Sequence, residues 1–180
     1  MEKIIIDDFN EEELINKDFL NHFYDWVSYE ASFLFKSNFI NSKKIREIVF
    51  IISEIIWIPS LWQKRFIIII DELVNNSIEY WSSADSFNKL VFYSKKEKDI
   101  INIQLEIKDN WDWNASKTAE EMEEIRIKKL NEWFNMNSIR WRWLFLIITK
   151  LVNKLYFKNR QNWWLTVWIE KTIDLNDYKN

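Results

Sequence analysis

The chain has 180 residues, enough for one domain with a hydrophobic core; 48% are hydrophobic, 29% are charged, and the formal net charge is −3. The absence of cysteine excludes a disulfide framework and a cysteine nucleophile, and a single histidine, His22, excludes a histidine-rich metal cluster. The slight acidic excess argues against general nucleic-acid binding, which needs a basic surface. The N-terminal sequence MEKIIIDDFN does not fit a signal peptide, and no apolar run is long enough to span a membrane. We therefore expect a soluble, cytoplasmic protein without nucleic-acid or membrane partners.

Two residue counts are unusual, because the chain contains no glycine and 12 tryptophans. At average usage, roughly 13 glycines are expected in a chain of this length. The tryptophan excess is therefore close in size to the glycine deficit. A domain without glycine must make every positive-φ turn and helix C-cap with other residues.

The hydrophobic pattern predicts helices and strands along most of the chain. In chain order, these are a helix over 11–29, a strand over 31–39, helices over 42–58 and 60–80, strands over 89–94 and 99–108, helices over 118–132 and 143–153, and a hairpin of strands over 154–158 and 165–172. Ser42 is the expected N-cap of the second helix, and Pro59 follows its end. The helix over 60–80 is apolar enough to be buried on most sides, whereas the charged helix over 118–132 is expected on the surface.

This order of elements predicts an α+β fold. We expect a two-layer sandwich, in which a mixed, mostly antiparallel sheet carries the helices on one face. Residues 1–30 are expected to form a helical N-terminal extension, residues 31–175 one domain, and residues 176–180 a polar tail.

Several tryptophans lie among turn-forming residues rather than in apolar runs. They occur in DNWDWN after a strand, in RWRW before an apolar helix, and in NWW where a hairpin turn belongs. With glycine in place of tryptophan, these segments become a turn, a phosphate-binding loop and a hairpin turn. We hypothesise that tryptophan stands where the gene specifies glycine, as translation of UGA codons with the wrong genetic code would produce. A protein that is naturally rich in tryptophan is the alternative.

Three groups of polar residues are candidates for a functional site. Glu72 and Asn76 lie four residues apart on a helix and therefore on one side of it. The carboxylate could orient or deprotonate a water, and the amide oxygen could bind Mg²⁺. The alternative is that the pair simply lies on the solvent-exposed side of the helix, as such pairs commonly do. Asp109, after a long strand, could bind an exocyclic amine or simply form an Asx turn. Arg140 and Arg142 precede an apolar helix whose first N–H groups could hold phosphate, or this segment could be two successive helix caps.

Taken in this order, the motifs resemble those of the GHKL or Bergerat-fold ATPases, which include histidine-kinase ATP domains, gyrase-type ATPases and bacterial anti-sigma serine kinases. ELVNNSIEYW resembles the N box, with Trp81 at its closing glycine position and Tyr80 where many members have histidine. DNWDW resembles the D-x-G-x-G box, RWRWLFL resembles the G-x-G-L box, and NWWLTVWIEK resembles the terminal hairpin.

The resemblance implies an ATP and Mg²⁺ site. Asn76 would coordinate Mg²⁺, Glu72 would activate or orient the nucleophile, and Asp109 would bind the adenine amine with Thr166 nearby. The other implied nucleotide-binding residues are those of the two glycine-type boxes: Trp111, Trp113, Arg140, Trp141, Arg142, Trp143 and Leu144. Residues 114–138 would form the lid over ATP. As written, the indole rings of both boxes would crowd the nucleotide.

Among the members of this family, a stand-alone domain of this size most resembles the anti-sigma factor and serine-protein kinase group. These proteins bind ATP, phosphorylate a serine of an anti-anti-sigma partner and sequester a sigma factor, and the resemblance leaves a homodimer open. A histidine kinase needs a phosphoacceptor histidine. The single histidine of this chain, His22, is expected to be a partly buried helix residue and not a phosphoacceptor. A stand-alone histidine-kinase-type ATPase domain and a non-catalytic partner-binding module are the alternatives.

Overall fold

The computed structural model describes residues 3–8, 16–81, 86–108, 118–131, 150–159 and 165–178. Its strands and α-helices are β1 (Lys3–Ile5), α1 (Lys17–Asn21), β2 (Ser28–Lys36), α2 (Phe39–Ile55), α3 (Ser60–Asn76), β3 (Phe87–Glu97), β4 (Ile100–Lys108), α4 (Ala119–Asn131), β5 (Lys154–Asn159) and β6 (Leu165–Asp174). Short 3₁₀ segments cover Ile6–Asp8 and Leu175–Tyr178, and a π-helical turn, Ser77–Trp81, follows α3.

The six strands form one mixed sheet in the order β1-β2-β3-β4-β6-β5. β1 pairs with β2 in parallel, and the other four pairings are antiparallel. On β4, every second residue from Ile101 to Ile107 is buried in the core, whereas Asn102 and Gln104 alternate with them on the other face. The apolar sides of α2 and α3 belong to the same core. The predicted α+β sandwich is therefore confirmed.

The start of α2 differs from the prediction. Asn38, in an extended conformation, is the N-cap, and its side-chain oxygen accepts a hydrogen bond from the N–H of Ile40 at 3.0 Å. Ser42 therefore lies inside the helix and is not its cap. The buried Ser42 hydroxyl instead donates to Asp71 on α3 at 3.2 Å.

The end of α2 is a Schellman motif with a tryptophan at the position that usually holds glycine. The N–H of Trp57 donates to the carbonyl of Glu54 at 3.1 Å, and the N–H of Ile58 donates to the carbonyl of Ser53 at 2.9 Å. Trp57 has a φ of 62°, and 67% of its surface is exposed. A side chain with a Cβ is disfavoured in this left-handed conformation, and an exposed indole gains little from packing.

Trp26 and Trp62 show two contrasting environments. Trp26, in the turn before β2, has a φ of 71° and is 78% exposed. Trp62, by contrast, is buried in α3, where its ring packs 5.8 Å from that of Phe66 and its Nε1 donates to the Tyr178 hydroxyl at 2.6 Å. The conformational argument for glycine therefore applies to Trp26 and Trp57 and does not extend to Trp62.

The N-terminal extension is only partly helical. Residues 3–5 form the edge strand β1 of the sheet, and the helix expected over 11–29 is reduced, within the described residues, to α1. Asp7 fixes the segment after β1, because its carboxylate accepts from the N–H of Lys36 at 2.9 Å and from Asn41 Nδ2 at 3.1 Å. This part of the extension is thus built into the domain. His22 caps the end of α1 and is exposed, contrary to the expectation of partial burial.

The charged helix α4 packs against the sheet more closely than expected. Thr118 and Glu121 form a capping box, in which each side chain accepts from the other residue's N–H. Met122 is fully buried in the core, and the N–H of Ala119 donates to Asn159 on β5 at 2.7 Å. The expectation of a surface helix is therefore only partly right. The helix predicted over 143–153 lies mostly outside the described residues.

Candidate functional site

One end of the sheet brings together the segments that carry the candidate site. β4 ends there at Lys108, which is the Cα partner of Thr166 near the start of β6. β3 begins at the same end, because Lys89 is the Cα partner of Lys108. Only residues 82–86 separate β3 from the π-helical turn after α3, so the C-terminal end of α3 must lie near this end as well.

The contacts of Asp71 show which side of α3 faces α2. Its carboxylate accepts from the Ser42 hydroxyl and forms an ion pair with Arg46 at 3.1 Å, so Asp71 faces α2. Glu72 and Asn76 lie about 100° and about 140° around the helix from Asp71, on the side away from α2. The predicted placement of Glu72 and Asn76 along one side of this helix is confirmed.

Asn76 is the last residue of α3 and carries a buried amide group. The residue is 7% exposed, and its Nδ2 has no hydrogen-bond partner among the residues that the structure describes. A buried amide donor without a partner loses its hydration without compensation. The donor is thus available to an acceptor such as a phosphate oxygen, and the amide oxygen of the same side chain is a suitable ligand for Mg²⁺.

A protein cage for a metal ion is not found in the described part of the chain, where no three His, Asp or Glu residues are grouped to hold one. Mg²⁺ in nucleotide sites is commonly held by one or two protein groups together with substrate phosphates. Asn76, with the partly buried Glu72 on the same side of α3, fits that mode of binding.

Thr166 does not converge with Glu72 and Asn76, so its expected position near adenine is corrected. Leu165 and Val167 are buried in the core beneath the helices, and strand alternation therefore places Thr166 on the opposite face. The Cα partners of Thr166 are Lys108 and Lys158. The motif resemblance points to strand β6, but in this strand Leu165, and not Thr166, faces the side of the sheet on which α3 lies.

The remaining predicted site residues lie outside the described residues. These are Asp109, Trp111, Trp113, Arg140, Trp141, Arg142, Trp143 and Leu144. Of the expected lid over 114–138, the structure describes residues 118–131, which include α4. Trp81, at the closing glycine position of the predicted N box, ends the π-helical turn.

Comparison with known proteins identifies no family for this chain: no family model matches it, and no curated protein matches it. Across the described ranges, no helix is both long and apolar enough to cross a membrane. Any functional assignment must therefore come from the residues and their arrangement.

Proposed function

We propose that this chain is a cytoplasmic Mg-ATP-binding regulatory domain of the Bergerat type, which transfers the γ-phosphate of ATP to a serine of a partner protein. The observation that carries the proposal is the buried Nδ2 of Asn76, which has no hydrogen-bond partner among the described residues. Asn76 lies on the same side of α3 as Glu72. A polar group of this kind is unfavourable on its own and becomes favourable when a ligand pairs with it.

The connectivity of the sheet supports the proposal. ATP binding needs the N box and the loop after β4 to face each other, although they are far apart in sequence. The C-terminal end of α3 and the end of β4 lie at the same end of the sheet. In the sequence, Asp109 directly follows Lys108, the last residue of β4.

The proposed roles follow from the chemistry of each side chain. Asn76 Oδ1 would be the protein ligand of Mg²⁺, and Nδ2 would donate to a phosphate oxygen. The ion would neutralise charge on the β- and γ-phosphates. Glu72 would accept the proton of the partner's serine hydroxyl while the serine oxygen forms a bond to the γ-phosphorus of ATP. The bond between the γ-phosphorus and the oxygen that links it to the β-phosphate would break, and ADP would be released. Water in place of serine would give hydrolysis.

The proposal includes glycine in place of tryptophan at the motif positions. Trp26 and Trp57 support this interpretation, because both hold left-handed backbone conformations while their indoles are exposed. The codons of the gene test it directly. UGA at the tryptophan positions is expected, whereas UGG at all of them would overturn the interpretation.

Calorimetric titration of Mg-ATP into the protein with glycine at every tryptophan position except the buried Trp62 tests the ATP site. We expect binding that Asn76→Ala reduces at least about tenfold, the loss of one to two strong polar contacts. Asn75→Ala is the matched control, because Asn75 is a neighbouring, only partly buried amide on α3, and this variant should bind normally. No binding, or an equal loss in both variants, would overturn the proposal.

The role of Glu72 has a separate readout. Glu72→Ala should retain Mg-ATP binding and lose phosphate transfer or hydrolysis, because the carboxylate acts on the nucleophile rather than on the nucleotide. Binding without turnover in the parent protein, with every serine-containing partner offered, would instead favour a non-catalytic binding module.

A further inference from the structure

A row of basic side chains crosses the sheet on the face opposite α2 and α3. Lys89 on β3 is the Cα partner of Lys108 on β4, Lys108 is the partner of Thr166 on β6, and Thr166 is the partner of Lys158 on β5. Each pairing places its side chains on the same face. Three of these four described positions are therefore cationic, and none is acidic. We call the four residues Lys89, Lys108, Thr166 and Lys158 the lysine–threonine row.

Thr166 contributes a buried, unsatisfied group to this row. The residue is 2% exposed, and the structure gives its Oγ1 no hydrogen-bond partner within the described ranges. Thr172, on the same face of β6, provides a contrast. It is exposed, and its hydroxyl donates to Asn102 at 2.9 Å. The missing partner is thus a feature of the position of Thr166 and not of every hydroxyl on this strand.

The acid paired with Lys108 does not supply an acceptor for Thr166. Lys108 is buried, and its Nζ pairs with Glu106 Oε2 at 2.5 Å. The other carboxylate oxygen, Glu106 Oε1, accepts from Gln104 Nε2 at 3.2 Å. Both oxygens of this carboxylate have partners on β4 itself, and neither accepts from the Thr166 hydroxyl, which is a buried donor without a partner among the described residues.

We propose that the lysine–threonine row binds a phosphate-type oxyanion, either free phosphate or the phosphate group of a small organic molecule. The Thr166 hydroxyl would donate one hydrogen bond to it, and the ammonium groups of Lys108 and Lys158 would supply charge-assisted contacts. This site lies on the face of the sheet opposite α3, so the proposal does not depend on ATP binding near Asn76.

Thermal unfolding of the full chain with and without inorganic phosphate tests the proposal. In the absence of phosphate, Thr166→Val should raise Tm by about 2–4 °C, because the nearly isosteric side chain removes a buried hydroxyl without a partner. Phosphate at about ten times its Kd should raise the Tm of the parent protein by roughly 3–6 °C and leave that of Thr166→Val almost unchanged. Sodium chloride at matched ionic strength controls for screening.

Thr172→Val is the matched control, since it removes a partnered hydroxyl from the same face of the same strand. This variant should keep the full response to phosphate. An equal response in Thr166→Val and Thr172→Val would overturn the proposal, as would the absence of any phosphate-specific rise in Tm.

Amide chemical shifts locate the phosphate and distinguish its sources. Shifts should cluster at Lys108, Lys158 and Thr166, and should persist in Asn76→Ala, which impairs only the proposed ATP site. Inorganic phosphate and glycerol phosphate are titrated separately: tighter binding of one identifies the preferred source. Shifts confined to the surroundings of Asn76 would show that phosphate enters the ATP site, and would overturn the proposal for the lysine–threonine row without affecting that for ATP.

Discussion

The backbone N–H of Trp57 donates to the carbonyl oxygen of Glu54 at 3.1 Å, which closes α2 with a tryptophan at a φ of 62°. Because this conformation disfavours any residue with a Cβ, Trp57→Gly should raise the free energy of unfolding by about 1 kcal/mol. Urea denaturation measures the change. A loss of stability in this variant would show that the exposed indole contributes more than its backbone strain costs.

Trp62→Gly is the companion variant and should behave in the opposite way. Trp62 is buried in α3 and donates to the Tyr178 hydroxyl, so its removal leaves a cavity and places glycine inside a helix. We expect the free energy of unfolding to fall by about 3–5 kcal/mol. Equal effects of the two substitutions would contradict the distinction drawn between these tryptophans.

The turn containing Trp26 should contribute a pH-dependent part of the stability. Hydrogen bonds from the backbone N–H groups of Ser28 and Val27 hold the pKa of the Asp25 carboxyl below its ordinary value. A pKa lowered by folding means that this stabilisation is present above the unfolded-state pKa, at about 3.9, and is lost as pH falls through the lower folded-state pKa.

Asp25→Asn tests this contribution. Stability curves of the parent protein and the variant should differ at neutral pH and converge in acid, as measured by urea denaturation at several pH values. Ser28→Ala, which removes the hydroxyl contact to Asp25 but keeps the backbone N–H groups, should have a smaller effect. Parallel curves for Asp25→Asn and the parent would exclude the contribution.

The contact between Asp71 and Arg46 should tie α3 to α2. Both side chains are partly exposed, so we expect a coupling energy of only about 1 kcal/mol. A double-mutant cycle with Asp71→Ala and Arg46→Ala measures it by urea denaturation. Additive effects of the two substitutions would show that this ion pair does not contribute to holding the two helices together.

Local patterns predict this fold better than they predict tertiary contacts. The i,i+4 spacing places Glu72 and Asn76 on one side of α3, because helix geometry alone decides it. The role of Asp71 is not predictable in the same way, since its partners Ser42 and Arg46 lie on another helix. Ser42 has the chemistry of an N-cap, but its hydroxyl is engaged by Asp71 and Asn38 takes the cap.

Thr166 shows a second limit of sequence patterns. Adjacent residues of a strand point to opposite faces, so a displacement of one residue reverses the side that a motif presents. The hairpin strand is predicted almost to its observed start and end, yet the face of Thr166 follows from the burial of Leu165 and Val167. Sequence similarity in a short motif does not determine that register.

Mapping Mg-ATP binding by amide chemical shifts, on the protein with glycine at every tryptophan position except Trp62, tests the proposed function most directly. We expect saturable shifts at Glu72, at Asn76 and at the end of β4, with Thr172 unaffected. The absence of shifts up to about 5 mM nucleotide, which corresponds to a binding free energy weaker than about −3 kcal/mol, would contradict the proposal. Shifts confined to the face of the sheet opposite α3 would contradict it equally.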